Sequence, residues 1–302
     1  MTDNTSLYKY VSIERLKSIL NGSVRFTQPG VFNDPFELLP ELVIRKDHQN
    51  TAVSINFDLL AARRSPPVGE VENIADDYTS SDFTSRNIVK DLNKKIGIFC
   101  ASKSSNSLLM WSHYADQYSG AVIELDGSHD FFNGRIDIEY RTERQKKDLD
   151  SYFLEPVPLA EICVKSMDWQ YEREVRIVRK LSDCIDTKSL DQRGFPVFVQ
   201  NMPPACIKAI ALGERATVNH QRNIYGLIKN TDIGLSLSAL DNIGYKFRRE
   251  IVKYSGSLSR NMGPTVSPRT AHIFSHLDSP LGEMARFMIE KHPASIIVNN
   301  IA

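Results

Sequence analysis

The strongest candidate for chemistry in the sequence is a pair of glutamates two residues apart. Glu172, Glu174 and Arg176 fall in a segment that we predict to be a strand from Tyr171 to Arg179. Alternation along a strand would put all three side chains on one face, with the carboxylates about 6–7 Å apart. Their repulsion would raise the pKa of one carboxyl unless Arg176 offsets it. The alternative is a surface ladder of ion pairs, which contributes little to stability.

A lysine in the first predicted strand is the second candidate. The segment Leu7 to Val11 would place Tyr8 and Tyr10 on one face and Lys9 on the other. A lysine buried near the centre of a sheet requires an anionic partner, such as a ligand phosphate. A lysine on an edge strand reaches water instead. The sequence leaves both interpretations open.

Two aromatic-rich motifs could form the walls of a site. In the loop Phe32 to Phe36, the aromatic residues could hold Asn33 and Asp34 in a pocket, or these side chains could cap the backbone of their own loop. In a predicted helix over about 107–118, Trp111 and Tyr114 belong to an aromatic stripe. Such a stripe packs in a core more often than it binds a ligand, although an aromatic ring at a pocket wall could stack on a nicotinamide or a base.

The composition is that of an ordinary globular protein. Apolar residues make up 41% and charged residues 25% of the 302 residues, and 37 basic residues balance 37 acidic ones. Zero net charge gives no overall field toward nucleic acid or an anionic membrane. No run reaches the ~18 apolar residues of a membrane span, and the polar N-terminal residues predict no secretory signal. The four cysteines form no CxxC pair, so we expect no metal site, and a cytoplasmic protein with no membrane partner.

The pattern of elements predicts an α+β fold, with a mixed, largely antiparallel sheet as its core and flanking helices. We expect one domain over residues 1–253, with a polar helical excursion at about 45–95. Residues 254–302 are predicted to form a Ser-, Gly- and Pro-rich linker followed by an amphipathic helix at 280–292.

The ordered motifs resemble a bacterial family described as domain of unknown function 2971. The resemblance covers about residues 7–253 and is carried by Leu7 to Tyr10, Ile19-Leu20, Phe32 to Phe36, Leu109 to Ala115, Gly120 to Leu125, Trp169 to Arg176 and Ile207 to Gly213. The sequence departs from the family pattern at Val11, where arginine is frequent, and at Val175, where tryptophan is frequent.

The order of elements is also similar to that of ADP-ribosyltransferases, although the usual first-strand Arg or His is replaced by Lys9. This resemblance implies an enzyme that uses NAD, as a toxin-like or phage-defence effector with a protein or nucleic-acid acceptor. Glu174 would stabilise the ribosyl cation, as a carboxylate does in glycoside cleavage, and Glu172 would orient or deprotonate the acceptor. The residues implied to contact NAD are Lys9, Tyr8, Asn33, Asp34, Trp111, His113, Tyr114 and Arg176.

Two non-enzymatic hypotheses remain from the sequence. A nucleotide- or nucleic-acid-binding module would use a basic patch, for which the candidates are Arg135, Arg141, Arg144, Lys146, Lys147, Arg248 and Arg249. A regulatory protein would instead dock its C-terminal amphipathic helix on a partner.

Overall fold

The computed structural model describes residues 6–39, 41–43, 83–148 and 163–295. The strands in these ranges are β1 (Ser6–Val11), β2 (Ser23–Phe26), β3 (Glu41–Val43), β4 (Ile96–Ser102), β5 (Ala121–Asp126), β6 (Ile136–Asp137), β7 (Glu139–Arg141), β8 (Lys146–Asp148), β9 (Val164–Ser166), β10 (Glu174–Lys180), β11 (Ile185–Leu190), β12 (Pro196–Asn201), β13 (Ile207–Leu212), β14 (Gly234–Leu240) and β15 (Phe247–Lys253). The α-helices are α1 (Ile13–Leu20), α2 (Phe83–Lys95), α3 (Leu108–Tyr114), α4 (Val218–Ile228), α5 (Ser257–Asn261), α6 (Ala271–Phe274) and α7 (Pro280–Lys291).

An eight-stranded sheet forms the centre of the molecule. Its strand order is β15-β14-β13-β5-β1-β4-β10-β6, and the β13–β14 pair is parallel while the other neighbours are antiparallel. Strands β11, β12 and β2 form a smaller antiparallel sheet. The predicted α+β fold with a mixed, largely antiparallel sheet and flanking helices is confirmed.

Helices cover one face of the large sheet because their apolar residues recur at helical spacing. In α1, Ile13, Leu16 and Ile19 are buried, and Ser12 caps the helix by accepting a hydrogen bond from the amide of Arg15. Helices α4, α6 and α7 contribute buried side chains to the same core cluster. We call this side of the sheet the core face.

Helices α6 and α7, which follow residue 253, pack against this core. The predicted amphipathic helix is present as α7, and its Ala285 is buried together with Ile273 and Phe274 of α6. The expected linker therefore does not separate the C-terminal segment from the sheet. Of the expected polar excursion at 45–95, α2 and the start of β4 are described, and residues 45–82 lie outside the described ranges.

Strand β4 joins the two sheets along one edge. Near the end of β4, Ser102 pairs with Tyr8 of β1, whereas nearer its start Ile98 pairs with Thr27, which follows β2. On this edge of β4, β1 therefore pairs at Ser102 and the chain after β2 pairs at Ile98, and Cys100 lies between these two pairings. In the described parts of the chain, no helix has the length and apolar character needed to cross a membrane.

Candidate functional site

The two glutamates of the sharpest motif do not share a continuous strand. Residues Met167–Glu172 form a 3₁₀ helix, which Ser166 caps by accepting a hydrogen bond from the amide of Asp168. The helix ends at Arg173, which adopts the left-handed conformation with φ 45° and ψ 48°, and β10 begins at Glu174. The prediction of a strand from Tyr171 was therefore wrong at its start, because local side-chain capping competes with strand pairing in this segment.

A buried lysine nevertheless brings the two glutamates together. The Nζ of Lys165, on β9, lies 2.7 Å from Oε2 of Glu172 and 2.7 Å from Oε2 of Glu174. All three side chains are buried. Burial acts to lower the pKa of Lys165, but Glu174 and Glu37 outweigh it and hold that pKa above its ordinary value.

Arg176 supplies a second buried cation and recruits a third carboxylate. Its Nε lies 2.7 Å from Oε1 of Glu174, and its Nη1 lies 2.5 Å from Oε1 of Glu37, which follows the Phe32–Phe36 loop. We call Glu37, Lys165, Glu172, Glu174 and Arg176 the ion cluster. With all groups ionised, its three carboxylates exceed its two cations by one negative charge.

The environment shifts the pKa values of the two glutamates of the motif in opposite directions. For Glu174, burial would raise the pKa, but Arg176 and Lys165 outweigh it and keep the pKa well below the ordinary value. For Glu172, burial dominates and raises the pKa, although Lys165 partly offsets this effect. Glu174 is thus held as a carboxylate, while Glu172 is the member of the pair that takes up a proton more readily.

The aromatic helix contributes a phenol to this network. The hydroxyl of Tyr114, on α3, donates a hydrogen bond to Oε1 of Glu172, and it accepts one from Nδ2 of Asn33 at 3.0 Å. In the same loop, Oδ1 of the buried Asp34 accepts a hydrogen bond from the amide of Phe36 at 2.9 Å. Asn33 therefore reaches the site, whereas Asp34 caps its own loop.

An exposed aromatic stack lies beside the ion cluster. The rings of Tyr171 and the exposed His113 stack with centroids 6.1 Å apart and an interplanar angle of 30°. Trp169 contacts the ring of Tyr171 with centroids 6.1 Å apart. The stack places the imidazole of His113 in solvent, at the rim of the site.

A cleft of about 730 Å³ opens next to these groups. Its lining residues are Lys103, Asp137, Ile138, Tyr140, Gln170, Tyr171, Arg173 and Glu174. Glu174 is the member of the ion cluster that lines the cleft, and its amide donates a 2.7 Å hydrogen bond to the hydroxyl of Tyr140. The cleft therefore borders Glu174, whose two carboxylate oxygens are held by Arg176 and Lys165, and aromatic and cationic side chains complete its lining.

Lys9 does not belong to this site. Directly opposite residues of antiparallel strands share a face, so Tyr8, Ser102 and Glu174 lie on one face of the sheet. Lys9 alternates with Tyr8 and lies on the core face, where its Nζ contacts the Phe99 ring with 4.9 Å to the centroid. Its ammonium donates a 2.5 Å hydrogen bond to the carbonyl of Cys100, where β1 and β2 diverge. It fills a gap in strand pairing, and neither alternative expected from the sequence applies.

Two other residues that were expected to contact NAD, Trp111 and Tyr8, pack in an aromatic cluster instead. Trp111 is fully buried, and its indole packs edge-on against Tyr10 and Phe247, so it has no surface for a ligand. Tyr8 is half-buried in the same aromatic cluster, two strands away from Glu174.

Among the residues that the structure describes, the arginines of the expected basic patch lie toward opposite edges of the large sheet instead of on one surface. Arg135 and Arg141 adjoin β6 and β7, near the β6 edge of the large sheet, whereas Arg248 and Arg249 lie on β15 at the opposite edge. Several of the cations are also engaged locally: Arg141 pairs with Glu139, Lys146 with Glu41 and Arg248 with Glu250. The separation of these arginines gives the nucleic-acid hypothesis no support, and the hypothesis stays a prediction.

Several site residues were missed in the sequence. Glu37 and Lys165 belong to the ion cluster, and Tyr140, Tyr171 and Arg173 line the cleft. A glutamate before the apolar pair Leu38-Leu39 was a signal that Glu37 is buried. The partnership of Lys165 with residues 172 and 174 had no such signal, because it depends on the 3₁₀ helix Met167–Glu172, which connects β9 to β10.

Fold and site together define a mixed α/β protein whose sheet presents a buried ion cluster at an open cleft. Residues 110–177 match the sequence model of a family described as "Protein of unknown function (DUF2971)", which confirms the family resemblance over these residues. The matched segment contains most of α3, all of β5 and the motif from Trp169 to Arg176. Neither the curated proteins nor the solved structures contain a match to the chain.

Proposed function

We propose that this protein is an ADP-ribosyltransferase-like enzyme that cleaves NAD at the nicotinamide ribose. The observation that carries the proposal is Glu174, a carboxylate held ionised by two buried cations at the wall of a cleft. Transfer of a ribosyl group passes through a cation-like centre at the anomeric carbon, and a fixed carboxylate stabilises such a centre as charge develops.

The net charge of the ion cluster supports this role. An ordinary buried ion pair is neutral and has little attraction left for a third group. Here three carboxylates face two cations, so with all three ionised the cluster carries a negative charge that favours a cationic ligand or transition state. Tyr171 and Tyr140 give the cleft aromatic surface against which a flat ring could pack.

The other groups take supporting roles in the proposal. Glu172 is hydrogen-bonded to Tyr114 and Lys165, so we assign it to the positioning of Glu174 instead of direct contact with the acceptor. His113 is exposed beside Tyr171, and we assign its imidazole to accepting a proton from the acceptor. The cytoplasmic location stays a prediction. The toxin-like or phage-defence role also stays a prediction, and it depends on the identity of the acceptor.

The test is release of nicotinamide from NAD by the purified protein and by Glu174→Gln. The amide keeps the shape of the carboxylate but loses its charge, and we expect nicotinamide release to fall by about a hundredfold or more. Glu139→Gln, which removes an exposed carboxylate next to Tyr140, should retain the wild-type rate. The fold of each variant is checked by thermal unfolding.

Two results would count against the proposal. Equal rates in Glu174→Gln and the wild type would remove Glu174 from the chemistry. Saturable binding of NAD by the wild-type protein without nicotinamide release would favour a non-catalytic nucleotide-binding module.

A further inference from the structure

Arg173 stands between the two glutamates in sequence but does not join their cluster. Its side chain is exposed and lines the cleft, while Glu172 and Glu174 turn inward to Lys165. Its backbone has φ 45°, a left-handed conformation that is unfavourable for a residue with a side chain. Glycine would relieve this strain, so the guanidinium at this position requires another explanation.

A second cation lies beside Arg173. The amide of Lys103 donates a 3.0 Å hydrogen bond to the carbonyl of Arg173, one position beyond the Ser102–Glu174 pair of β4 and β10. Both side chains line the same cleft. Neighbouring like charges across two chain segments repel each other, and the repulsion is relieved when an anion binds between them.

The balance of charge at this end of the cleft leaves one cation available. Asp137 lies 2.8 Å from the ammonium of Lys103 and partly neutralises it. Within residues 6–39, 41–43, 83–148 and 163–295, no carboxylate lies within ion-pair distance of the Arg173 guanidinium. A guanidinium presents paired N–H donors in a fixed plane that matches two phosphate oxygens.

We propose that Arg173 and Lys103 form a diphosphate-binding subsite at the mouth of the cleft. The identity of the complete ligand as a dinucleotide rests on the proposed function, whereas the anion subsite does not. In a dinucleotide the diphosphate is attached to the same ribose whose anomeric carbon would face the catalytic carboxylate. Arg173 and Glu174 are adjacent in the chain and line the same cleft, so one ligand could lie along both residues. One interpretation of the sequence made Lys9 the partner of a ligand phosphate, and this subsite takes that role instead.

The test is calorimetric titration with ADP-ribose and with inorganic pyrophosphate. Arg173→Gly removes the guanidinium and suits the left-handed backbone, so the variant should unfold at the same temperature as the wild type or higher. We expect it to bind both probes at least about tenfold more weakly, as loss of a charged hydrogen bond predicts. Arg173→Lys keeps the charge and should recover part of the affinity.

Lys180→Ala is the matched control, because it removes an exposed cation at the far end of β10, away from the cleft. It should bind both probes as the wild type does. Equal affinity of the wild type and Arg173→Gly for both probes would overturn the subsite. The subsite would also be overturned if Arg173→Gly lost affinity for a single-stranded oligonucleotide but kept its affinity for ADP-ribose.

The subsite and the proposed function fail in different ways. Loss of pyrophosphate binding in Arg173→Gly, in a protein that releases no nicotinamide, would retain the subsite and reject the enzyme. Normal pyrophosphate binding by Arg173→Gly, with nicotinamide release that still depends on Glu174, would retain the enzyme and reject the subsite.

Discussion

Lys9 and Lys165 both place an ammonium group inside the protein, on opposite sides of the large sheet, and their surroundings differ. Lys165 lies 2.7 Å from carboxylate oxygens of Glu172 and Glu174. Lys9 donates to a backbone carbonyl and packs on the Phe99 ring. Folding accordingly shifts the two pKa values in opposite directions: carboxylates raise that of Lys165, and burial lowers that of Lys9.

The difference shows how a structural charge is distinguished from a candidate functional one. The ammonium of Lys9 completes the hydrogen bonding of Cys100 where the sheets diverge, and this task does not require a ligand. Lys165 instead balances carboxylates in a cluster that reaches a cleft through Glu174. Burial alone does not identify a site; the excess of carboxylates and the access to solvent do.

The largest effect on stability is expected from Arg176→Met. The substitution keeps much of the side-chain volume but leaves three buried carboxylates with one cation. Removing one partner of a buried ion pair destabilises proteins by about 3–5 kcal/mol. Urea denaturation at neutral pH measures the free energy of unfolding.

Arg179→Met on the same strand is the control for that substitution. Arg179 is half-buried and donates hydrogen bonds to the carbonyls of Phe131 and Asn133, with no carboxylate partner in the part of the chain described by the structure. Its loss should cost about 1 kcal/mol. Equal losses in the two variants would mean that the ion cluster carries no special energetic weight.

Local patterns in the sequence predicted much of the scaffold. The alternation in Leu7–Val11 and the apolar spacing of Ile13, Leu16 and Ile19 correspond to β1 and α1, because each pattern expresses which face is buried. The strand over residues 171–173 failed, because the Ser166 cap and the left-handed Arg173 are local features that a period of two does not encode.

The site was predicted only in part, because its remaining contacts depend on tertiary structure. Glu172, Glu174, Arg176, Tyr114 and Asn33 do meet, as their motifs suggested. The placement of Lys9 required knowledge of which face of β1 lies on the core face of the sheet. Glu37 lies more than a hundred residues from Lys165 and Arg176, and sequence spacing carries no information about such contacts. Lys165 is close in sequence to Glu172, but their contact depends on the 3₁₀ helix between them, which was not predicted.

A smaller effect is expected from Lys9→Met. The variant leaves the carbonyl of Cys100 without its donor, but it also removes a buried charge, so we expect a loss of about 1–3 kcal/mol. Because folding lowers the pKa of Lys9, the unfolded chain binds more protons in the pH range below the ordinary value of 10.5. The contribution of Lys9 to stability therefore rises with pH in that range.

Urea denaturation near neutral pH and near pH ~10 checks this sign. The difference in free energy of unfolding between the wild type and Lys9→Met should grow toward the higher pH. For Lys165 the sign is opposite, since a raised pKa makes its stabilisation disappear as pH rises above 10.5. A difference that shrinks with rising pH in Lys9→Met would mean that Lys9 has an anionic partner and resembles Lys165 after all.

The smallest effect is expected from Tyr114→Phe, which removes one hydrogen bond from the edge of the ion cluster. We expect a loss of about 0.5–1.5 kcal/mol at neutral pH. The phenol favours the charged form of Glu172, so its removal should raise the pKa of that carboxyl further. A raised pKa means that the folded protein binds more protons than the unfolded chain above the ordinary value of 4.5, and stability then falls as pH rises through that window.

The loss caused by Tyr114→Phe should therefore be larger at neutral pH than near pH ~4, whereas Tyr118→Phe, in the same aromatic cluster, should show no such pH dependence. Equal losses at both pH values would indicate that Tyr114 acts through packing alone, and the ion cluster would then end at Glu172 instead of extending through Tyr114 to Asn33.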